Sequence, residues 1–137
     1  MKPVDITCII DDDPFYTEML KRIIGIKRFS EQVLVFENGK EALDFFQDTI
    51  HEKDESKLPK LLLLDINMPE MDGWEFLNAF ETFKDKYQKE IIIYLVSSSI
   101  NPKDIMRAKE IALVTDYFVK PISISQLEHI FKSVSCK

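Results

Sequence analysis

Leu61-Leu62-Leu63-Leu64-Asp65-Ile66-Asn67-Met68-Pro69 is the stretch on which the fold turns. Four consecutive leucines leave no polar face, which reads as a strand covered on both sides, as in parallel sheets sandwiched between helices. The aspartate that closes the run then stands at the carboxyl end of the strand, where open α/β sheets place their functional groups. Two other segments repeat the arrangement. The apolar run 6–10 ends in Asp11-Asp12-Asp13, and residues 117–119 end in Lys120-Pro121. Carboxylates and a lysine gathered at one sheet edge imply a cation.

Working outward, residues 33–36 and 91–96 complete a set of five strands that alternate with segments of helical period. That alternation predicts an α/β fold, a doubly wound five-stranded parallel sheet with five helices. Asp13-Pro14 supplies a cap and a first-position proline for helix one, whose apolar face reads as Phe15, Met19, Leu20, Ile23 and Ile24. Asn38-Gly39 leads into Ala42, Leu43, Phe46 and Ile50, and Gly73 opens a helix with Trp74, Leu77 and Phe80 on one side. Asn101-Pro102 precedes Ile105, Ala108 and Ile111 or Ala112; Ser123 and Gln126 form a capping box before Leu127, Ile130, Phe131 and Val134. The charged residues 51–57 read as a solvated loop.

At 137 residues the chain fits a single domain, 1–137, with a core large enough to need no staple. Its 24 acidic and 18 basic residues give a net charge of -6 with no basic stripe, which disfavours direct nucleic-acid binding. Cys8 inside a strand and Cys136 beside the terminus read as reduced thiols. There is no signal-peptide core and no apolar run long enough to span a bilayer, so a soluble, cytoplasmic protein is expected, with no membrane insertion.

The chemistry follows from the acidic cluster. Asp11, Asp12 and Asp65 brought together would raise one another's pKa, and a divalent ion removes that penalty. Oxygen donors without His or Cys select a hard cation, and few protein ligands suit Mg²⁺, with Mn²⁺ as a substitute. A carboxylate beside Mg²⁺, Asp65, then serves as nucleophile toward a phosphoryl donor; Lys120 neutralises the phosphoryl oxygens, and the Ser97 hydroxyl takes another of them. Asp13 reads as a helix cap and Asp72-Gly73 as the turn into helix three. His51 and His129 have no matching partner for metal or phosphate chemistry.

Four pieces now stand in order: Ile9-Ile10-Asp11-Asp12-Asp13-Pro14; the leucine run through Asp65-Ile66-Asn67-Met68-Pro69-Glu70-Met71-Asp72-Gly73; Val96-Ser97-Ser98; and Asp116-Tyr117-Phe118-Val119-Lys120-Pro121. In these the chain resembles, from end to end, a response-regulator receiver domain of the chemotaxis-regulator type. The resemblance implies the flavodoxin-like strand order 2-1-3-4-5. It implies that Asp65 is the phosphoacceptor, Asp12 a direct Mg²⁺ ligand, Asp11 a ligand through water and Asn67 a ligand through its backbone carbonyl. Ser97 matches the switch hydroxyl, Ser98 the small residue after it, Tyr117 the aromatic switch residue and Lys120 the lysine before a cis Pro121. Asn67 and Ser99 match positions that flank the phosphoryl group.

The implied function is that of a phosphoacceptor receiver in a two-component system or phosphorelay, loaded by a histidine kinase or histidine phosphotransfer protein and signalling to a downstream protein through helix four, strand five and helix five. With no effector domain after residue 137, output is expected through binding, and no enzyme activity beyond self-phosphorylation and autodephosphorylation. An aspartyl-nucleophile phosphatase is the alternative, but Asn67 stands where such an enzyme needs an acid; a phosphate-independent binding module is another. Two departures stand out. The interval from Ser97 to Lys120 is one residue longer than is usual, which implies either an inserted residue near 112–115 or that Ser98 carries the hydroxyl role. Ile111-Ala112-Leu113-Val114 replaces the usual Gly-Ala pair before strand five.

Overall fold

A computed structural model describes residues 2–136. In chain order it contains β1 (Val4–Ile10), α1 (Pro14–Ile26), β2 (Ser30–Phe36), α2 (Gly39–His51), a 3₁₀ turn (Glu55–Lys57), β3 (Leu61–Leu64), α3 (Gly73–Glu81), β4 (Ile92–Ser97), α4 (Pro102–Glu110), β5 (Val114–Val119) and α5 (Ile124–Ser135). The five strands form one parallel sheet in the order β2-β1-β3-β4-β5. The doubly wound α/β fold and its strand order are therefore as expected.

Side-chain alternation on the central strands divides the interior into two cores. Cys8, Ile10, Leu62, Leu64, Ile93 and Leu95 face α2 and α3, where Phe46, Phe76 and Phe80 pack. Ile9, Leu61, Leu63, Ile92, Tyr94 and Val96 face the other way, toward Leu20 and Ile24 of α1 and Leu127, Ile130, Phe131 and Val134 of α5. All four leucines of β3 are at most 2% exposed, which is why the strand tolerates no polar residue until Asp65.

The caps read at Asp13 and Ser123 are present: the Asp13 carboxylate accepts the Phe15 and Tyr16 N–H groups, and Ser123 completes a capping box with Gln126. Asp72, read as a turn residue, also caps α3 in a box with Glu75. The facing of α1 differs from expectation. Thr17, Leu20 and Ile24 are buried, whereas Phe15 is 87% and Met19 44% exposed. The five apolar residues of this helix span more than one face, and the sheet claims only the side shared by residues 17, 20 and 24. Strands β1, β2 and β5 start earlier than their apolar runs, because Val4, Ser30 and Val114 already pair in register with neighbours. Polar residues are tolerated there: β2 and β5 are the edge strands. Helix α4 ends at Glu110 and buries only Ala108, so Ile111 and Ala112 lie beyond it. The segment 51–57 is more than a loop, since His51 closes α2 and the Glu55 carboxylate accepts the N–H groups of Gln88 and Lys89 at 2.8–3.0 Å. It pins the approach to β4. Among the described residues no helix is long and apolar enough to cross a membrane.

Candidate functional site

Parallel strands all present their carboxyl ends at the same edge, so β1, β3 and β5 deliver Asp11, Asp65 and Lys120 to one place. Carboxylate oxygens of Asp11, Asp12 and Asp65 lie within 4.8 Å of one another. Asp11 and Asp65 are buried and Asp12 is exposed, so the cluster opens to solvent on one side. Lys120 bridges the buried pair, its Nζ 2.6 Å from Asp11 Oδ2 and 3.6 Å from Asp65 Oδ2. Two of the three carboxylates thus share one ammonium, and Asp12 is left to solvent.

That imbalance shows in Asp65, whose carboxyl is pushed up to about 6 by burial first and then by the Asp11 charge. Lys120 and the N–H groups of Ile66 and Asn67 pull in the opposite direction. The Ile66 N–H lies 2.9 Å from Asp65 Oδ1. Asp13 stays outside the cluster as the cap of α1, though its N–H donates to Asp11 Oδ1 at 3.0 Å. Asp72 caps α3.

The loop from Asp65 to α3 is held tightly. Gly73 donates its N–H to the Ile66 carbonyl at 2.8 Å, and a Cβ on Gly73 would sit 2.5 Å from the Asp65 carbonyl oxygen and 2.8 Å from Ile66 Cα. No side chain fits between the start of α3 and the strand end that presents Asp65. Within the same loop Glu70 has φ 65° and the Met71 N–H closes on the Pro69 carbonyl at 2.7 Å, a γ-turn in the left-handed region. Nothing in the residue type of Glu70 signals it. Asn67 is exposed beside the cluster.

On the other side, Ser97 is fully buried at the end of β4 while Ser98 faces solvent. Ser97 Oγ accepts the Ser99 N–H at 3.2 Å, and its carbonyl accepts the Lys120 N–H at 2.9 Å. The Ser99 hydroxyl donates to Asp104 in α4, and the Tyr117 hydroxyl donates to the Ser99 carbonyl at 2.7 Å. The long interval between Ser97 and Lys120 has a local explanation. Ile93 pairs with Val114 but Tyr94 pairs with Asp116, so β5 carries one extra residue, Thr115, in a bulge. Beyond it Ser97 pairs with Val119, and Lys120 follows directly, joined to Pro121 by a cis peptide bond.

The sequence profile of the response regulator receiver domain matches residues 7–132. The chain belongs to that family. Receiver domains are modules of two-component signalling, and this receiver has relatives of the same extent. It is 25% identical over 129 residues to the probable methanogenesis regulatory protein FilR2 of Methanothrix harundinacea, covering 94% of this chain and 80% of that protein. It is 25% identical to the response regulator Rcp1 of Synechocystis, covering 96% of this chain and 85% of that protein. Among solved structures, a two-component response regulator from Cytophaga hutchinsonii superposes with a TM-score of 0.85 at 26% identity, covering 98% of this receiver and 99% of the other chain.

Proposed function

We propose that this receiver takes a phosphoryl group onto Asp65 from a phosphohistidine donor, in the presence of Mg²⁺, and that the loaded form binds a downstream protein. One observation carries the reading: Asp11, Asp12 and Asp65 converge within 4.8 Å and, among the described residues, one lysine, Lys120, reaches the two buried ones. The donor set is all oxygen, open on one side and short of positive charge, which fits a hard, partly hydrated cation. Asp12 and Asp65, with the Asn67 carbonyl, would hold the ion, and Asp11 would hold it through water; bound there, Mg²⁺ neutralises the carboxylates and orients phosphoryl oxygens.

The chain's own groups perform the rest. An Asp65 carboxylate oxygen attacks phosphorus as the P–N bond of the donor breaks, giving an acyl phosphate and returning the electron pair to the imidazole. Lys120 stands where the developing oxygen charge falls. Ser97, whose Oγ accepts the Ser99 N–H, keeps its own proton to donate to a phosphoryl oxygen. Drawing Ser97 toward phosphate moves the Ser97–Ser99 segment, and the Tyr117–Ser99 bond carries that movement to β5 and α4. The partner on the input side is a histidine kinase or histidine phosphotransfer protein. Phe15, Ile100 and Ile124, 87%, 75% and 47% exposed on the three segments that follow β1, β4 and β5, give such a protein an apolar rim to rest on.

Incubation with acetyl phosphate and Mg²⁺, read by intact mass, tests the assignment. A single hydroxylamine-labile phosphoryl adduct is expected on the wild type and none on Asp65→Asn; an unmodified wild type defeats it.

A further inference from the structure

Among the described residues, one buried side-chain polar atom lacks a hydrogen-bond partner: the Tyr16 hydroxyl. A buried hydroxyl left without a partner is disfavoured. An aliphatic residue at this place on α1 would fill the space without that penalty, so the ring has a role that the hydroxyl does not explain. The ring lies against Lys120, with Nζ 4.3 Å from its centroid. An ammonium within about 6 Å of an aromatic face is attracted to it, and the attraction grows as water is excluded. Here the lysine side chain is only 16% exposed. Burial and the charges of Asp11 and Asp65 also push the Tyr16 phenol up, which keeps the ring neutral beside the cation.

Lys120 stands between unequal carboxylates, 2.6 Å from Asp11 and 3.6 Å from Asp65. A long, flexible ammonium side chain with only those two contacts would move freely about the closer oxygen once a cation engages Asp11. A third surface limits that freedom. We propose that Tyr16 is a positioning residue, whose ring face holds the Lys120 ammonium beside Asp65 so that it is already in place when a phosphoryl group arrives. The kinetic consequence rests on the phosphoacceptor reading of Asp65; the ring–ammonium contact does not.

The experiment has two arms, each run on the wild type, Tyr16→Phe and Tyr16→Leu. In the first, NMR follows the Lys120 ε-methylene protons, which the Tyr16 ring current shifts upfield; the shift should persist in Tyr16→Phe and vanish in Tyr16→Leu. In the second, the rate of adduct formation from acetyl phosphate is measured at saturating Mg²⁺. Tyr16→Phe should stay within about twofold of the wild type and Tyr16→Leu should fall about fivefold, the loss expected for one shielded cation–π contact, with Mg²⁺ affinity unchanged. Tyr16→Met replaces the leucine variant if that one fails to fold. A leucine variant at the wild-type rate, or a phenylalanine variant as slow as leucine, overturns the proposal, the latter by assigning the effect to the hydroxyl. If the wild type forms no adduct, the phosphoacceptor reading fails and the first arm alone decides: a lysine signal without an upfield shift overturns the ring's hold on Lys120.

Discussion

Asp65 sits in surroundings that oppose its charge. Its carboxyl stands at about 6 in the fold, against an ordinary value of 3.8, because burial and the neighbouring Asp11 outweigh Lys120 and two N–H groups. Between those values the folded chain holds a proton that the unfolded chain has released, so stability falls as pH rises through this window. The penalty is complete well above pH 6. Asp65→Asn should therefore raise the metal-free melting temperature at pH 7, with a gain that shrinks toward pH 4; melting curves across that range check it, and a gain independent of pH would contradict it. Gly73 acts on the same residue by steric means. Gly73→Ala places a methyl 2.5 Å from the Asp65 carbonyl, so we expect a loss of about 1–3 kcal/mol together with slower phosphorylation, measured by denaturant unfolding and adduct formation. Its motif made Gly73 visible in the sequence, but read only as a turn residue. The clash that requires glycine lies with the Asp65 backbone, eight residues earlier.

At the scale of elements, the helix that departed from expectation in how it faces the sheet was α1, whereas α2, α3 and α5 bury the faces read for them. The period of α1 marked Phe15 and Met19 as apolar, and they are, but the sheet buries residues 17, 20 and 24 instead. The strip left outside begins one turn from Asp12, beside the opening of the carboxylate cluster. Phe15→Ala should accordingly slow phosphoryl transfer from a histidine phosphotransfer protein by roughly tenfold, the loss of one apolar interface anchor, while leaving the rate with acetyl phosphate unchanged. Parallel assays with the two donors check this, and an equal effect on both would place Phe15 in the chemistry rather than the docking. Strand β5 shows the reverse case, in which an irregularity announced itself. The extra residue between Ser97 and Lys120 was countable, and the bulge at Thr115 is where the sheet absorbs it. The bulge lies within the range where an inserted residue was expected, and Ser97 is the buried hydroxyl at the strand end.

For the molecule as a whole, the acidic edge leaves the fold carrying a charge defect that a cation relieves. An ion that binds the native state and not the unfolded chain stabilises it by mass action, about 2.7 kcal/mol at a hundredfold excess over Kd. For a chain of this size that corresponds to a rise in melting temperature of roughly 5–10 °C, and a smaller rise in Asp65→Asn; differential scanning fluorimetry with and without Mg²⁺ measures both. By itself the sequence determined the α/β alternation, the two-sided burial of β3, the helix caps and the residues at the strand ends, because each is written in neighbours a few positions apart: period, capping and turn chemistry are short-range. The tertiary structure alone decided which side of α1 is buried, that Glu55 ties down the segment before β4, and that the Tyr16 ring lies against Lys120. Those depend on contacts between groups far apart in the chain, whose meeting is set by the packing of whole helices on the sheet and leaves no periodic mark in the sequence.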